Sequence, residues 1–265
     1  MTYRSKGIMQ KVKSFYILGV RVDALNLDKL SGYIKHRIST GQRHYIVLTG
    51  AHGIVEMQND LELKKINNHA GLVTPDGMPE VWLGKLKGFR DIEKVYAVNA
   101  MHRIFQDGLK GGYSHFFYGG NRGVARNLAQ KMKVLYPGIK IVGTYCPPFR
   151  PLRESEKKKL TALINGTRAD IVWCGLGCPK QEKWMADFRP RLIVPVLIGV
   201  GAGFDFLSGA TPLAPKFIRN SGFEWMFRTL TNPRKMMKRY LYVVPVFTFY
   251  VILELLGLKK FSSDI

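Results

Sequence analysis

The sequence predicts an α/β protein with a mostly parallel sheet, and three observations carry that prediction. Short apolar runs of strand character alternate with amphipathic helical segments at spacings of roughly 25–35 residues, the pattern of strands joined by crossover helices. HYIVLTG (44–50) is a short, mainly apolar run ending in glycine, as expected of a buried strand opening onto a loop. Several of these runs end in glycine, where a strand opens onto a tight turn.

In chain order, FYILGVRVDAL (15–25) reads as strand and turn around one glycine. Residues 26–40 read as a helix, with Asn26 or Asp28 near its cap and Leu27, Leu30, Ile34 and Ile38 on one face. The strand 44–50 follows, then a helix over 52–68, a strand into a turn in GLVTPDG (71–77) and a helix in MPEVWLGKLKG (78–88). From residue 114 the rhythm is regular: strand 114–120, helix 124–136, strand 139–145, helix 156–166, strand 170–177, helix 180–188 and strand 194–204. From Lys216 the character changes to a basic helical region, FIRNSGFEWMFRTL and NPRKMMKRY, and then the apolar run LYVVPVFTFYVILELLGL (241–258).

The chain has 265 residues, enough for one large domain or two modest ones, and its 46% hydrophobic and 23% charged content excludes wholesale disorder. Its 41 Lys and Arg against 19 Asp and Glu give a net charge of +22, which points to a polyanionic partner: nucleic acid, an anionic membrane or a phosphate-rich substrate. The N-terminal MTYRSKGIMQKVKSFYILGV is basic, with no apolar run long enough for a signal peptide and no small-residue cleavage site, so a cytoplasmic protein is expected. Cys146, Cys174 and Cys178 are an odd number, which argues against a disulfide framework. No His or Cys near the Cys174/Cys178 pair completes a tetrahedral zinc site, so buried thiols are expected and no metal.

The 18-residue terminal run lies at the lower edge of a transmembrane span, which needs about 20 apolar residues. Pro245 and Glu254 interrupt it, leaving a span, a buried core helix and an interfacial helix as alternatives. Arg234, Lys235, Lys238 and Arg239 immediately precede the run, and each such cation contributes about 1 kcal/mol beside anionic lipid, which favours the interfacial helix. Residues 216–260 carry a net +7.

Three strand ends run into glycine: Gly119-Gly120, Gly175-Leu176-Gly177 and Gly199-Val200-Gly201-Ala202-Gly203. Ligands of open parallel sheets bind beyond the carboxyl ends of strands, where glycine admits phosphate to the backbone. The GVGAGF segment lacks the dinucleotide-binding spacing and no Walker-A sequence is present, so these turns suggest a nucleotide-diphosphate site without identifying one. On spacing alone, Asp76 in the PDG turn reads as a helix cap, and Thr49 and His52 in LTGAHG as a turn threonine and a satisfied histidine.

The strings TGAHGIVEMQND, GLVTPDGMPEVWLGKLKG, FFYGGNRGVARNLAQKMKVLYPGIKIVGTYCPPF, DIVWCGLGCPKQEKWM and GVGAGFDFLSGATPLAPKFIRNSGFEWMFRTLTNPRKMMKRY, in that order, resemble the WecG/TagA/CpsF family of bacterial glycosyltransferases over about residues 15–240. The resemblance implies a Rossmann-like, mostly parallel sheet lobe with a smaller N-terminal α/β lobe and a helical, membrane-associating C-terminal appendage. It implies inverting transfer of an N-acetylmannosamine-type or uronic acid sugar from a UDP-sugar donor. The acceptor would be a polyprenyl-diphosphate-linked glycan at the cytoplasmic face of the bacterial plasma membrane, in surface polysaccharide or wall polymer synthesis, with no cofactor and no essential metal.

Carried over by position, Asp76 is the general base, which takes the acceptor hydroxyl's proton as its oxygen attacks the anomeric carbon. Thr49 is the polar residue before the second loop. The family often has Asn two places further on, where this chain has Ala51, and His52 is assigned the missing polar contact. Gln181, Glu182 and Asp205 match donor-side positions, as do the turn residues Gly119, Gly177 and Gly201. Arg228, with Arg234 and Arg239 beyond it, would face the departing diphosphate. In EKVYAVNAM, Lys94 stands for the family's Arg, Ala97 for its Gly and Asn99 for its Asp; lysine keeps the charge and loses the bidentate fork.

The expected division is 1–110 for the lobe with the base, 111–215 for the nucleotide-sugar lobe and 216–265 for the appendage. The expected partners are the donor, the acceptor and an anionic membrane surface, without nucleic acid; a homo-oligomer stays open. A basic nucleic-acid-binding protein and an NAD-type oxidoreductase are the alternatives that charge and sheet leave standing.

Overall fold

A computed structural model describes residues 12–263, apart from the side chain of Lys235; the first eleven residues of the basic N-terminal segment lie outside it. The chain opens with a hairpin of β1 (Ser14–Ile17) and β2 (Val20–Asp23), paired antiparallel with Phe15 opposite Val22. Leu18 (φ 53°) and Gly19 (φ 73°) make its two-residue turn, the left-handed pair that matches strand twist. Helix α1 (Leu27–Thr40) starts where the Asn26 side chain accepts the Lys29 N–H and stops at left-handed Gly41.

The body then alternates strand and helix. It comprises β3 (His44–Thr49), α2 (Ala51–Asn59), α3 (Leu61–Asn68), β4 (Leu72–Pro75), α4 (Met78–Leu86), α5 (Ala97–Gly111), β5 (Ser114–Gly119), α6 (Val124–Leu135), β6 (Lys140–Tyr145), α7 (Glu154–Gly166), β7 (Ile171–Gly175), α8 (Lys180–Phe188), β8 (Val196–Gly199) and α9 (Gly203–Ser208). The strands form one six-stranded sheet in the order β4-β3-β8-β7-β5-β6, with every pairing parallel. Alternate residues of β7 serve opposite faces: Ile171 and Trp173 join α1, α5 and α6 in one core, while Val172 and Cys174 join α7 and α8 in the other. Because both faces are covered there, the central strands β7 and β8 have no polar side and read as unbroken apolar runs, whereas the edge strand β6 alternates exposed and half-buried residues. The expected boundary near residue 110 falls at the end of α5, and β3 pairs with β8 across it, so strands from both sides share the sheet.

Three local features differ from the sequence reading. The single helix expected over 52–68 is two helices, because the Asp60 side chain accepts the Leu63 N–H and starts a new one. Helix α5 was not anticipated, since Tyr96 at its N-cap makes no side-chain cap bond. The basic stretch and the apolar run of the tail form one helix, α12 (Pro233–Leu255), continuous through Pro245, after the short α10 (Lys216–Asn220) and α11 (Glu224–Thr231).

Helix α12 is docked on the body. Val243, Phe247 and Val251, one stripe at four-residue spacing, pack with β1, β2 and α2 in a third core. At its end Glu254 accepts the Leu18 N–H at 3.0 Å, and Lys64 Nζ donates to the Leu18 carbonyl at 3.2 Å. Leu241, Tyr242, Phe249, Ile252 and Leu256 face outward and are exposed. Met236–Leu255 is long and apolar enough to cross a membrane.

Candidate active site

The carboxyl ends of β3, β4, β5, β7 and β8 open onto a cleft of ≈ 1370 Å³, roofed by α11 and α12. Parallel pairing fixes its floor. The Asp76 N–H donates to the Thr49 carbonyl at 3.0 Å, which places the PDG turn beside the end of β3. The Thr49 hydroxyl is directed away from solvent, 2.6 Å from Asn67 Oδ1, and Thr49 is buried. Thr49 therefore anchors the turn through its backbone carbonyl, and its hydroxyl is spent on Asn67 of α3.

Asp76 is partly open to the cleft but enclosed by protein, and burial pushes its carboxyl up to about 6. Lys94 pulls the value down, Glu224 pushes it up, and Arg228 and the Ala97 N–H pull it down. Ala97 is the first residue of α5, so the Asp76 carboxylate, just past the end of β4, faces the helix start that the Tyr96 cap leaves without a side-chain bond. One turn into α4, Glu80 is fully buried and is pushed up to about 8, chiefly by burial, with the Asp76 charge adding to it. Its carboxyl folds back toward the first-turn N–H of Gly77 without reaching hydrogen-bonding geometry. At neutral pH the site thus holds one ionised and one neutral carboxyl.

The donor-side residues meet at the glycine turns. Gln181 Oε1 accepts the Gly177 N–H at 3.2 Å and the Gly201 N–H at 2.8 Å, and Gln181 Nε2 donates to Glu182 Oε1 at 2.9 Å. Both side chains are buried, so Gln181 ties the turns after β7 and β8 together, and Glu182 fixes its orientation. Burial also pushes the Glu182 carboxyl up. The Gly120 N–H is likewise spent, on the Gly175 carbonyl at 2.9 Å. Three amides that the sequence offered to phosphate are therefore used within the fold, and the cations opposite remain to meet negative charge. Asp205 lines the cleft from the first turn of α9.

Arg228 and Arg239 line the roof, Arg228 with its guanidinium 5.4 Å from the Phe206 ring centre. His52, on α2, is held down to about 4 by burial and by the charges of Arg239 and Arg228, so it is neutral at physiological pH. Its Nε2 lies 3.4 Å from Glu56 Oε1 as a polar contact. Tyr240 also lines the roof beside both arginines, and burial raises its phenol.

Thr49, His52, Asp76, Gly177, Gln181, Glu182, Gly201, Asp205, Arg228 and Arg239 are thus gathered around one cleft. Gly119 and Arg234 are not. A Cβ on Gly119 would sit 2.8 Å from the Gly175 backbone, so that glycine (φ 113°) serves the close approach of β5 to β7. Arg234 is five residues before Arg239, about 140° around the helix, and points to solvent. Lys94 is buried against α11, with Nζ 2.6 Å from Glu224 Oε2. Glu80, Glu224 and Tyr240 were not singled out in the sequence; only Glu80 left a local trace, one helical turn from Asp76. Among the described residues no cluster of three His, Cys, Asp or Glu side chains is placed to hold a metal ion.

The family model described as "Glycosyl transferase WecG/TagA/CpsF family" matches residues 15–261. Two similar proteins are each named N-acetylglucosaminyldiphosphoundecaprenol N-acetyl-beta-D-mannosaminyltransferase. One, from Bacillus spizizenii strain W23, is 29% identical over 197 residues, 73% of this chain and 74% of the relative. The other, from Bacillus subtilis strain 168, is 27% identical over 202 residues, 76% of each chain.

Proposed function

The chain belongs to the WecG/TagA/CpsF family of glycosyltransferases, and from that premise we propose that it transfers a sugar from a UDP-sugar to a saccharide carried on polyprenyl diphosphate, with inversion at the anomeric carbon. The observation that carries this reading is the placement of Asp76 in one cleft with Arg228 and Arg239. A base and a leaving-group clamp within one site are what a single displacement requires.

In the reaction, the Asp76 carboxylate takes the proton of the acceptor hydroxyl as that oxygen bonds to the anomeric carbon. The bond from that carbon to the UDP oxygen breaks, and Arg228 and Arg239 meet the charge that develops on the diphosphate. With an apparent value of about 6, Asp76 is mostly ionised at neutral pH yet more basic than an ordinary aspartate. The relatives' names place an N-acetylmannosaminyl group on the donor and an N-acetylglucosaminyl lipid diphosphate as acceptor, which makes these the first substrates to try. In this division of labour residues 1–110 carry the base, 111–215 the turns that meet the nucleotide, and 216–265 the roof.

The same reading places the protein on the cytoplasmic face of the plasma membrane. One stripe of α12 is committed to the body, and Glu254 is bonded to the β1–β2 turn, so in this arrangement the helix lies along the protein with its exposed apolar side available to lipid. The test is a panel of UDP-sugars with a polyprenyl-diphosphate-linked N-acetylglucosamine acceptor, scored by UDP release. Release that needs both substrates supports the reading, and none with any donor overturns it.

A further inference from the structure

Lys94 stands at a position where a free cation would serve a diphosphate, but its charge is already engaged. Its Nζ pairs with Glu224 Oε2 at 2.6 Å and donates to the Arg219 carbonyl at 2.9 Å. The Lys94 side chain is 9% exposed and that of Glu224 18%. The Tyr96 ring lies under both cations, 4.9 Å from Lys94 Nζ and 5.4 Å from the Arg219 guanidinium. One lysine from the segment before α5 thus holds both α10 and α11 against the body. A pair this enclosed is strongly coupled, because removing either partner leaves an uncompensated charge out of water.

Charge is crowded where this pair meets the floor of the cleft. Asp76 faces Glu80 from α4, Lys94 and the Ala97 N–H from the start of α5, and Glu224 and Arg228 from α11. Glu224 itself faces Lys94, and Tyr240 from α12 lies within range of both Glu224 and Asp76. Lys94 therefore has two carboxylates within reach, and the geometry gives it to the one on the appendage.

We propose that Glu224 is a positioning residue for the Asp76 site: by pairing with Lys94 it seats α11 over the cleft and keeps the lysine's charge from being spent on the Asp76 carboxylate. A base paired directly with an ammonium stays ionised but gives up proton affinity, and so becomes a poorer base. With Glu224 as counter-ion, Lys94 secures the roof while part of its pull on the Asp76 carboxyl is offset. The site acquires its working proton affinity only when the appendage is seated. The consequence for rate rests on Asp76 being the base; the effect on its titration does not.

The experiment follows the Asp76 carboxyl by ¹³C NMR titration of the full chain, with its signal assigned by its loss in Asp76→Asn. Glu224→Gln keeps the shape but frees Lys94, so the Asp76 midpoint is expected to fall by about one pH unit. Lys94→Met leaves Glu224 uncompensated, so the midpoint is expected to rise by about as much. The double variant returns close to wild type, and Lys94→Arg stays close to it. A role in packing alone would lower melting temperature and activity in both single variants without moving the midpoint in opposite directions. A midpoint that does not fall in Glu224→Gln overturns the proposal even if Lys94→Met fails to fold. Full activity of Asp76→Asn alongside the expected midpoints would instead remove the base assignment and leave the positioning role intact.

Discussion

Replacing Asp76 by Asn tests function and stability together. The two side chains match in shape, so the turn after β4 and the Thr49 backbone bond persist, while the proton acceptor is lost. General-base assistance contributes about 10²–10⁴ in rate, so turnover is expected to fall by that factor while UDP affinity is kept. Wild-type kcat/KM is expected to drop about tenfold for each pH unit below about 6 and to level off above it. Stability moves the other way. Folding raises the Asp76 carboxyl from 3.8 to about 6, so its ionised form costs at most about 3 kcal/mol, less what the open side of the cleft screens. That cost is absent below about 3.8, grows through the interval and is complete above about 6. At pH 7.5 Asp76→Asn is therefore expected to melt higher than wild type, with the advantage vanishing as pH falls through the window. Turnover assayed by UDP release and a melting series across pH 3–8 read both effects. Wild-type turnover in the variant would refute the base assignment, and a lower melting temperature at pH 7.5 would refute the electrostatic reasoning.

Arg239→Ala removes a roof cation facing the expected leaving group, so a loss of about 10²–10³ in kcat is expected in steady-state assays, larger than that for Arg234→Ala, whose side chain lies outside the cleft. Gln181→Ala leaves the Gly177 and Gly201 amides without their shared acceptor, with an expected cost of about 1–3 kcal/mol in chemical denaturation and weaker UDP binding by calorimetry. Glu254→Ala frees the Leu18 N–H and the end of α12 from the body, and faster hydrogen exchange at Leu18 and through the last turns of α12 is expected. Phe247→Ala, in the docked stripe, is expected to cost about 3–5 kcal/mol in denaturant melts, whereas Phe249→Ala, on the exposed side, is expected to spare stability and to weaken binding to anionic vesicles.

The strands were legible because a sheet covered on both faces writes itself as unbroken apolar runs, and β7 and β8 are of that kind. Helix α5 was hidden because no side chain at its own cap marks its start, and the carboxylate that faces its first amide, Asp76, lies twenty-one residues upstream. The break at Asp60 rests on a side-chain bond that many aspartates in helical stretches do not make. In the site, Asp76 stood out by its turn, and the glycines by their strand ends. The use of those glycine amides could not be read, because Gln181 reaches Gly201 from twenty residues away. The Lys94–Glu224 pair, 130 residues apart in sequence, left no local pattern at all.

The central claim is a single displacement driven by one carboxylate, and its most direct test is the stereochemistry of the product. With a UDP-sugar of known anomeric configuration and a polyprenyl-diphosphate-linked N-acetylglucosamine acceptor, NMR of the new glycosidic linkage is expected to show the opposite configuration, formed one for one with UDP. A product that retains the donor's configuration would require two displacements and a nucleophile on the enzyme, and would contradict the role given to Asp76.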